Sequence, residues 1–264
     1  MEIGGHVDAA DPLAQARAIG GTICQFFFGD PQTWKAPSVA YDGGADALKA
    51  DAEAAGIGLY IHAPYVINLA STNNRIRIPS RQLLNKTVDL AARIGARGVI
   101  VHGGHVLAAD DPGVGFDNWR KAVDGLHTSV PVLIENTAGG KNAMARTLER
   151  LAQLWDAIGH SPNASSIGFC LDTCHAHAAG LDLAGLTGRI RAITGRIDLV
   201  HFNDSRDAFG SGADRHASLG AGHCDPDGLL DVAASANAPL MLETPGGPQA
   251  QAADVAWLRE RLAR

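Results

Sequence analysis

This chain of 264 residues contains no run of about 18 apolar residues, which excludes a membrane-spanning helix. Its opening, MEIGGHVDAADP, has no basic start followed by an apolar stretch, so no secretory leader is expected and the cytoplasm is the expected compartment. Cysteines are few: Cys24, Cys170, Cys174 and Cys224 have no framework spacing, which points to reduced thiols. Cys170 and Cys174 are also too few and too widely spaced for a zinc knuckle built on C-x2-C pairs. Positive charge is not in excess either. A formal net charge of −6 excludes a protein that coats nucleic acid by bulk electrostatics, while leaving room for a local basic groove and for bound cations. No linker, low-complexity tract or composition break divides the chain, so one domain over residues 1–264 is expected.

What is present is a 46% hydrophobic composition arranged as alternating short and long segments. Apolar, β-branched runs bounded by glycine or proline predict eight strands, at 3–7, 22–28, 58–63, 98–102, 131–135, 167–172, 198–203 and 239–243. Between them, alanine- and leucine-rich stretches at 45–56, 81–95, 142–158 and 227–236 carry apolar residues at helical spacing. Strand alternating with helix implies a parallel sheet, and eight such units in this length predict a single-domain α/β fold, a (β/α)8 TIM barrel; an open doubly wound sheet is the alternative. The near-continuous hydrophobicity of VIVH, VLIE and GFCLD suits strands buried on both faces in either case.

Polar residues gather where these strands end. YIHAPY presents His62, VIVHGGH presents His102, VLIEN presents Glu135, and GFCLDTCH presents Asp172 and then His175. LVHFND presents His201, DRHASLG supplies Asp214 and His216, and LMLETP presents Glu243. The C-terminal strand ends of a barrel converge on one rim, where active sites are built. Nine metal-competent groups, five imidazoles and four carboxylates, therefore meet at one place although spread over about 180 residues. Convergent carboxylates repel one another in a partly desolvated pocket, and divalent cations relieve that repulsion. Imidazole and carboxylate without cysteinate suit Zn2+, Mn2+ or Fe2+ in an open catalytic site. For any one histidine a buried, hydrogen-bonded ring is the ordinary reading; six of eight strand regions ending in or followed by such a group is not ordinary packing. His127, His160 and His223 read as helix-surface or loop residues, whereas His6, His105 and His177 lie close enough to the rim to support ligands or touch substrate.

The segments IHAPYVINLAS, VLIENTAGG, FCLDTCHAHAAG, HFNDS, DRHASLG and LMLETP, in this order from GGHV near the start to LET near the end, together resemble the endonuclease IV family of apurinic/apyrimidinic endonucleases. The resemblance implies three zinc ions: His62, His102 and Glu135 on one; Glu135, Asp172, His201 and Glu243 on a second; His175, Asp214 and His216 on a third. It implies hydrolysis of the phosphodiester 5′ to an abasic site in double-stranded DNA, leaving a 3′-hydroxyl and a 5′-deoxyribose phosphate, and removal of blocking groups from 3′ ends. Glu135 and Glu243 would be the catalytic carboxylates, the first bridging two ions and the second orienting or deprotonating the attacking water. A monomer is expected.

For DNA contact, the rim loops hold Gln32, Trp34 and Lys35, then Tyr65, Val66 and Asn68, then Arg75, Arg77 and Arg81, with Lys141, Arg206 and Arg215 further on. By resemblance, Tyr65 and Val66 enter the duplex from the minor groove and hold the abasic nucleotide out of the stack. Two departures stand out. GDPQTW places Gln32 where some family members carry an arginine that presses into the base stack, and HGGH is a short form of the histidine pair after the fourth strand. Two other readings compete: a single-metal sugar isomerase or epimerase of the same barrel class, which leaves His62, His102, His175 and the DRH triplet without a task, and a non-catalytic DNA-damage binder, which would have broken ligands.

Overall fold

A computed structural model describes residues 1–263. In chain order its strands and helices are β1 (Ile3–His6), α1 (Pro12–Ile19), β2 (Ile23–Phe26), α2 (Gly44–Ala55), β3 (Gly58–His62), α3 (Asn74–Arg93), β4 (Gly98–His102), α4 (Pro112–Asp124), β5 (Val132–Glu135), α5 (Leu148–Gly159), β6 (Ile167–Asp172), α6 (Thr173–Ala179), α7 (Leu186–Thr194), β7 (Leu199–His201), β8 (Asp204–Ser205), β9 (His216–Ala217), α8 (Pro226–Ser235), β10 (Leu240–Leu242) and α9 (Gly247–Leu262). Eight parallel strands close in the order β1-β10-β7-β6-β5-β4-β3-β2, so the expected TIM barrel forms. The remaining pair, β8 and β9, makes an antiparallel ribbon inserted after β7. Among the described residues, no helix is long and apolar enough to cross a membrane.

Local sequence accounts for the frame. Three helices open on Asp-Pro: the side chains of Asp11, Asp111 and Asp225 accept from Ala14, Gly113 and Gly228 N–H groups, and each following proline sits at the first helical position, where no N–H is required. Helix α3 begins seven residues before the expected start at 81, because Asn73 caps it and Pro79 is accommodated within its second turn. Helix α5 begins later than expected, at Leu148, since residues 142–147 run along the rim and Thr147 caps the helix. His127 accordingly lies in the loop after α4 rather than in a helix.

Two apolar layers hold the barrel. The outer one fills the space between strands and helices, with Trp119, Phe169, Phe202 and Leu258 among its fully buried members. The inner one is a separate cluster of Ile23, Tyr60, Ile100, Leu133, Cys170, Leu199 and Met241, one residue from each of seven strands. On β1 the matching position is Gly4, paired with Ile23; a Cβ there would lie 1.7 Å from the Ile23 carbonyl oxygen, so only glycine fits.

Candidate metal centre

Side chains on a strand point inward every second residue. Stepping two residues toward the C-terminal rim from each member of the inner apolar cluster gives Gln25, His62, His102, Glu135, Asp172, His201 and Glu243, and the same step from Gly4 gives His6. Every barrel strand therefore contributes one polar side chain to the layer above the apolar plug. Six of these eight residues are ligands expected from the sequence; His175 from α6, with Asp214 and His216 from the segment that forms the β8–β9 ribbon, completes the nine.

Glu135 is the hub. Its carboxylate is fully buried, with Oε2 3.3 Å from Nε2 of both His62 and His102, and Oε1 3.0 Å from His201 Nδ1 and 3.2 Å from His175 Nδ1. Burial alone would raise its pKa, but His201, His102 and His175 hold it well below the usual carboxylate range. His62 shows that protons do not satisfy this site. Its Nδ1 lies 2.7 Å from the Ala63 carbonyl, which can only accept, so Nδ1 carries the hydrogen; burial lowers the ring's pKa and favours the neutral form. The bare lone pair on Nε2 then faces a carboxylate oxygen at 3.3 Å, a repulsive contact unless a cation lies between them. The ligand atoms of a tetrahedral zinc with bonds of about 2.05 Å are themselves about 3.3 Å apart, so the separation fits.

A second group comprises Glu135, Asp172, His201 and Glu243, whose ligand atoms lie within 4.8 Å of one another. His201 Nδ1 faces Glu135 Oε1 and, at 3.2 Å, Glu243 Oε2. Asp172 caps α6 by accepting from the His175 N–H at 2.6 Å, which fixes the helix that carries His175, while its Oδ2 lies 3.7 Å from His216 Nε2. At the third group, His175 Nε2 lies 3.0 Å and His216 Nε2 3.4 Å from Asp214 Oδ1, yet neither nitrogen has a hydrogen-bond partner of acceptable geometry. Their other nitrogens are committed: His175 Nδ1 to the Asn136 carbonyl at 2.9 Å, and His216 Nδ1 to the Glu243 carbonyl at 3.2 Å. Two buried, orphaned nitrogens aimed past one carboxylate are what a cation site requires. The thiol of Cys174 also approaches Asp214 and His216, but burial raises its pKa to about 12, which disfavours the thiolate a metal needs.

Without a cation, the charges compensate one another as ion pairs. Burial opposes protonation of His175, His201 and His216, yet the surrounding carboxylates outweigh it: the first two are raised well above the ordinary imidazole range and His216 to about 9. Asp214 and Glu243 move the opposite way, below the usual carboxylate range, because their histidine partners outweigh the cost of burial.

Residues absent from the expected list hold these ligands in place. Asn136 accepts from the Asp172 N–H at 2.7 Å and donates to the Asp172 carbonyl at 2.9 Å. Asn203 donates to Asp172 Oδ2 and accepts from the Glu243 N–H, both at 2.8 Å. Gln25 joins His201, Glu243 and His6.

The cleft above this layer has a volume of about 500 Å³ and is walled by Tyr65, Arg206, Arg215 and Pro245 besides the ligands. Tyr65 is half exposed, its ring stacked on His102 at 5.5 Å and edge-on to His62 at 5.4 Å. Trp34 and Gln32 stand on the loop after β2, the indole exposed, and Lys35 borders a small hollow beside His62. Arg75 and Lys141 are exposed. Arg206 Nε donates to the His216 carbonyl at 2.9 Å, and Arg215 pairs with Asp207. Other side chains expected to meet DNA also make contacts within the protein. Val66 packs against the outer core, Asn68 bonds the His105 backbone through both ends of its amide, and Arg77 donates to the Ser71 carbonyl and to Asn74. Arg81 donates to the Asn118 carbonyl. His177 is buried, bonds the Asp207 carbonyl and props the exposed ring of Phe209, an aromatic that carries no signal of its own in the sequence.

A closed eight-stranded barrel with histidines and carboxylates gathered at its strand ends defines a class, and residues 13–261 match the family model of the xylose isomerase-like TIM barrel. Within that class, the chain is 55% identical over 99% of both lengths to a Mycobacterium marinum protein named "Probable endonuclease 4". It superposes on the crystal structure of endonuclease IV from Thermus thermophilus with a TM-score of 0.84 at 30% identity, covering 100% of this chain and 99% of that one. The chain belongs to the endonuclease 4 family. A D-tagatose 3-epimerase-like protein shares the fold at 15% identity, with a TM-score of 0.78 over 100% and 98% of the two chains.

Proposed function

We propose that this chain, working as one domain and as a monomer in the cytoplasm, is a DNA-repair endonuclease. It hydrolyses the phosphodiester 5′ to an abasic site, leaving a 3′-hydroxyl and a 5′-deoxyribose phosphate, and clears blocked 3′ ends. The observation that carries this reading is Glu135, whose two oxygens each face two imidazole nitrogens. A one-metal epimerase needs only Glu135, Asp172, His201 and Glu243, and leaves His62, His102, His175, Asp214 and His216 unexplained. Three divalent ions, zinc by preference, would be held by His62, His102 and Glu135; by Glu135, Asp172, His201 and Glu243; and by His175, Asp214 and His216. Bound there, they supply Lewis-acid stabilisation of phosphoryl charge and an acidified water.

The chain's own groups do the rest. Glu243, which lines the cleft, orients or deprotonates the attacking water. Arg206 and Arg215 face backbone phosphates, while Tyr65 and Trp34 offer aromatic surface to an unstacked nucleotide. Purified protein is expected to carry about three zinc equivalents and to nick an abasic-site duplex, with loss on chelation and recovery on zinc addition. One equivalent of manganese or magnesium, with epimerisation of a ketose and no nicking, would overturn the reading.

Affinity for the duplex is expected to fall about a hundredfold between 50 and 200 mM salt despite the acidic net charge, because the contacts are local phosphate contacts. Fluorescence anisotropy with a non-cleavable analogue reads this directly. A flat salt dependence would exclude the arginine-lined cleft as the DNA groove.

A further inference from the structure

Of the eight polar residues in the layer above the apolar plug, six are metal-ligand candidates and two, His6 and Gln25, are neighbours on β1 and β2. Gln25 is fully buried, and its amide has one acceptor and two donor hydrogens, all of them used. Its Nε2 lies 2.7 Å from Glu243 Oε1 and 3.0 Å from His6 Nδ1; its Oε1 lies 2.9 Å from His201 Nε2. The ionised carboxylate of Glu243 can only accept, so it takes the NH2 end and the amide cannot turn over. Oε1 is then fixed toward His201, whose Nε2 must carry a hydrogen. The position of that ring left for a cation is consequently Nδ1, the nitrogen that faces Glu135 and Glu243 at 3.0 and 3.2 Å.

We propose that Gln25 is a positioning residue for the four-ligand group: one amide holds Nε2 of His201 as its donor, so that Nδ1 is the nitrogen laid bare when a cation binds, and it fixes the rotamer of Glu243. Two of the four ligands, contributed by β7 and by the chain just after β10, are thereby aligned by β2, which lies on the other side of β1 in the closed barrel. His6, partly exposed at the layer's edge, completes the amide's hydrogen bonding. Loss of an outer hydrogen bond to a metal-binding histidine costs about 10- to 100-fold in metal affinity, and here one residue supports two ligands.

This inference rests on the ligand reading above, and the experiment separates the two. Wild-type, Gln25→Met and Gln25→Glu proteins are loaded with zinc and challenged with a chromogenic chelator, and 15N NMR of the histidine ring nitrogens follows His201. In the wild type, His201 is expected to be bound through Nδ1 with Nε2 protonated. Gln25→Met, close in volume but without the amide, is expected to release one zinc of the set at least tenfold more readily, to lose the single tautomer of His201, and to lower kcat with KM for DNA unchanged. Gln25→Glu keeps the acceptor for His201 and loses the donor to Glu243, so it restores the tautomer while the weakened zinc remains weak. If Gln25→Met keeps both wild-type zinc retention and a single His201 tautomer, the positioning role is wrong. If Gln25→Met does not fold, Gln25→Glu decides the matter: wild-type retention of every zinc would overturn the proposal. If the wild type itself shows no zinc at His201, it is the ligand reading that fails.

Discussion

Glu135→Gln is expected to remove about two of the three ions and to lower the rate of incision at least a thousandfold, more than about 4 kcal/mol of barrier. The carboxylate faces four imidazole nitrogens at 3.0 to 3.3 Å, two through each oxygen, so two ligand groups lose their shared anion together. The barrel should survive. An amide of the same shape can donate to the bare Nε2 of His62, so the substitution exchanges a repulsive contact for a hydrogen bond in the ion-free protein. Metal analysis and single-turnover incision read the two halves of this expectation. Full zinc content with a rate within tenfold of wild type would show that Glu135 bridges nothing.

Zinc uptake at neutral pH is expected to release about three protons. His175, His201 and His216 are held protonated by neighbouring carboxylates in the ion-free protein, with His216 raised to about 9, and zinc accepts only the neutral rings. The overall constant for filling the site then rises by up to roughly a thousandfold per pH unit while all three rings remain protonated in the free protein. The chelated protein should behave in the opposite sense. A raised folded-state pKa stabilises fully below the unfolded value of about 6.5 and is lost as pH climbs through 9, whereas the depressed carboxylates of Asp214 and Glu243 stabilise above about 4.5 and fail on acidification. Its stability should therefore be greatest between about pH 4.5 and 6.5, and the gap in melting temperature between loaded and chelated protein should widen from about 6.5 to about 9. Calorimetry in buffers of different ionisation heat counts the protons; a titration heat independent of buffer would contradict the ion-paired resting state.

All eight barrel strands are legible in the sequence because each is a short apolar run bounded by glycine or proline, and their boundaries shift by no more than two residues at either end. The ribbon is not. Strands β8 and β9 have two residues each, too short for any periodicity, and Asp214 and His216 stand out only because DRH lies in a polar loop. Val66 and Asn68 draw attention because they follow Tyr65; that Val66 packs against the outer core and Asn68 bonds the His105 backbone is not legible in the sequence, because a β-branched or amide side chain in a turn carries no signal of its partner. Gln25 escapes notice although its signal is present. It stands two residues after Ile23 as His62 stands two after Tyr60 and Glu135 two after Leu133, but a glutamine inside ICQF is no metal ligand and attracts no chemical reading. Asn136 and Asn203 directly follow or closely trail barrel strands, and their amides bond to Asp172 only because the closed barrel brings neighbouring strand ends together.

Strand β10 is the last to be made, and it seals the barrel by lying between β7 and β1. Glu243 follows it immediately, so the chain on the ribosome has every other ligand in hand while the cylinder is still open and its last carboxylate is missing. Sealing the seam and completing the four-ligand group are one event. An ion that bound the finished group would act as a rivet tying this last strand to β5, β6 and β7, so a newly sealed cylinder would stay shut longer where that ion is plentiful.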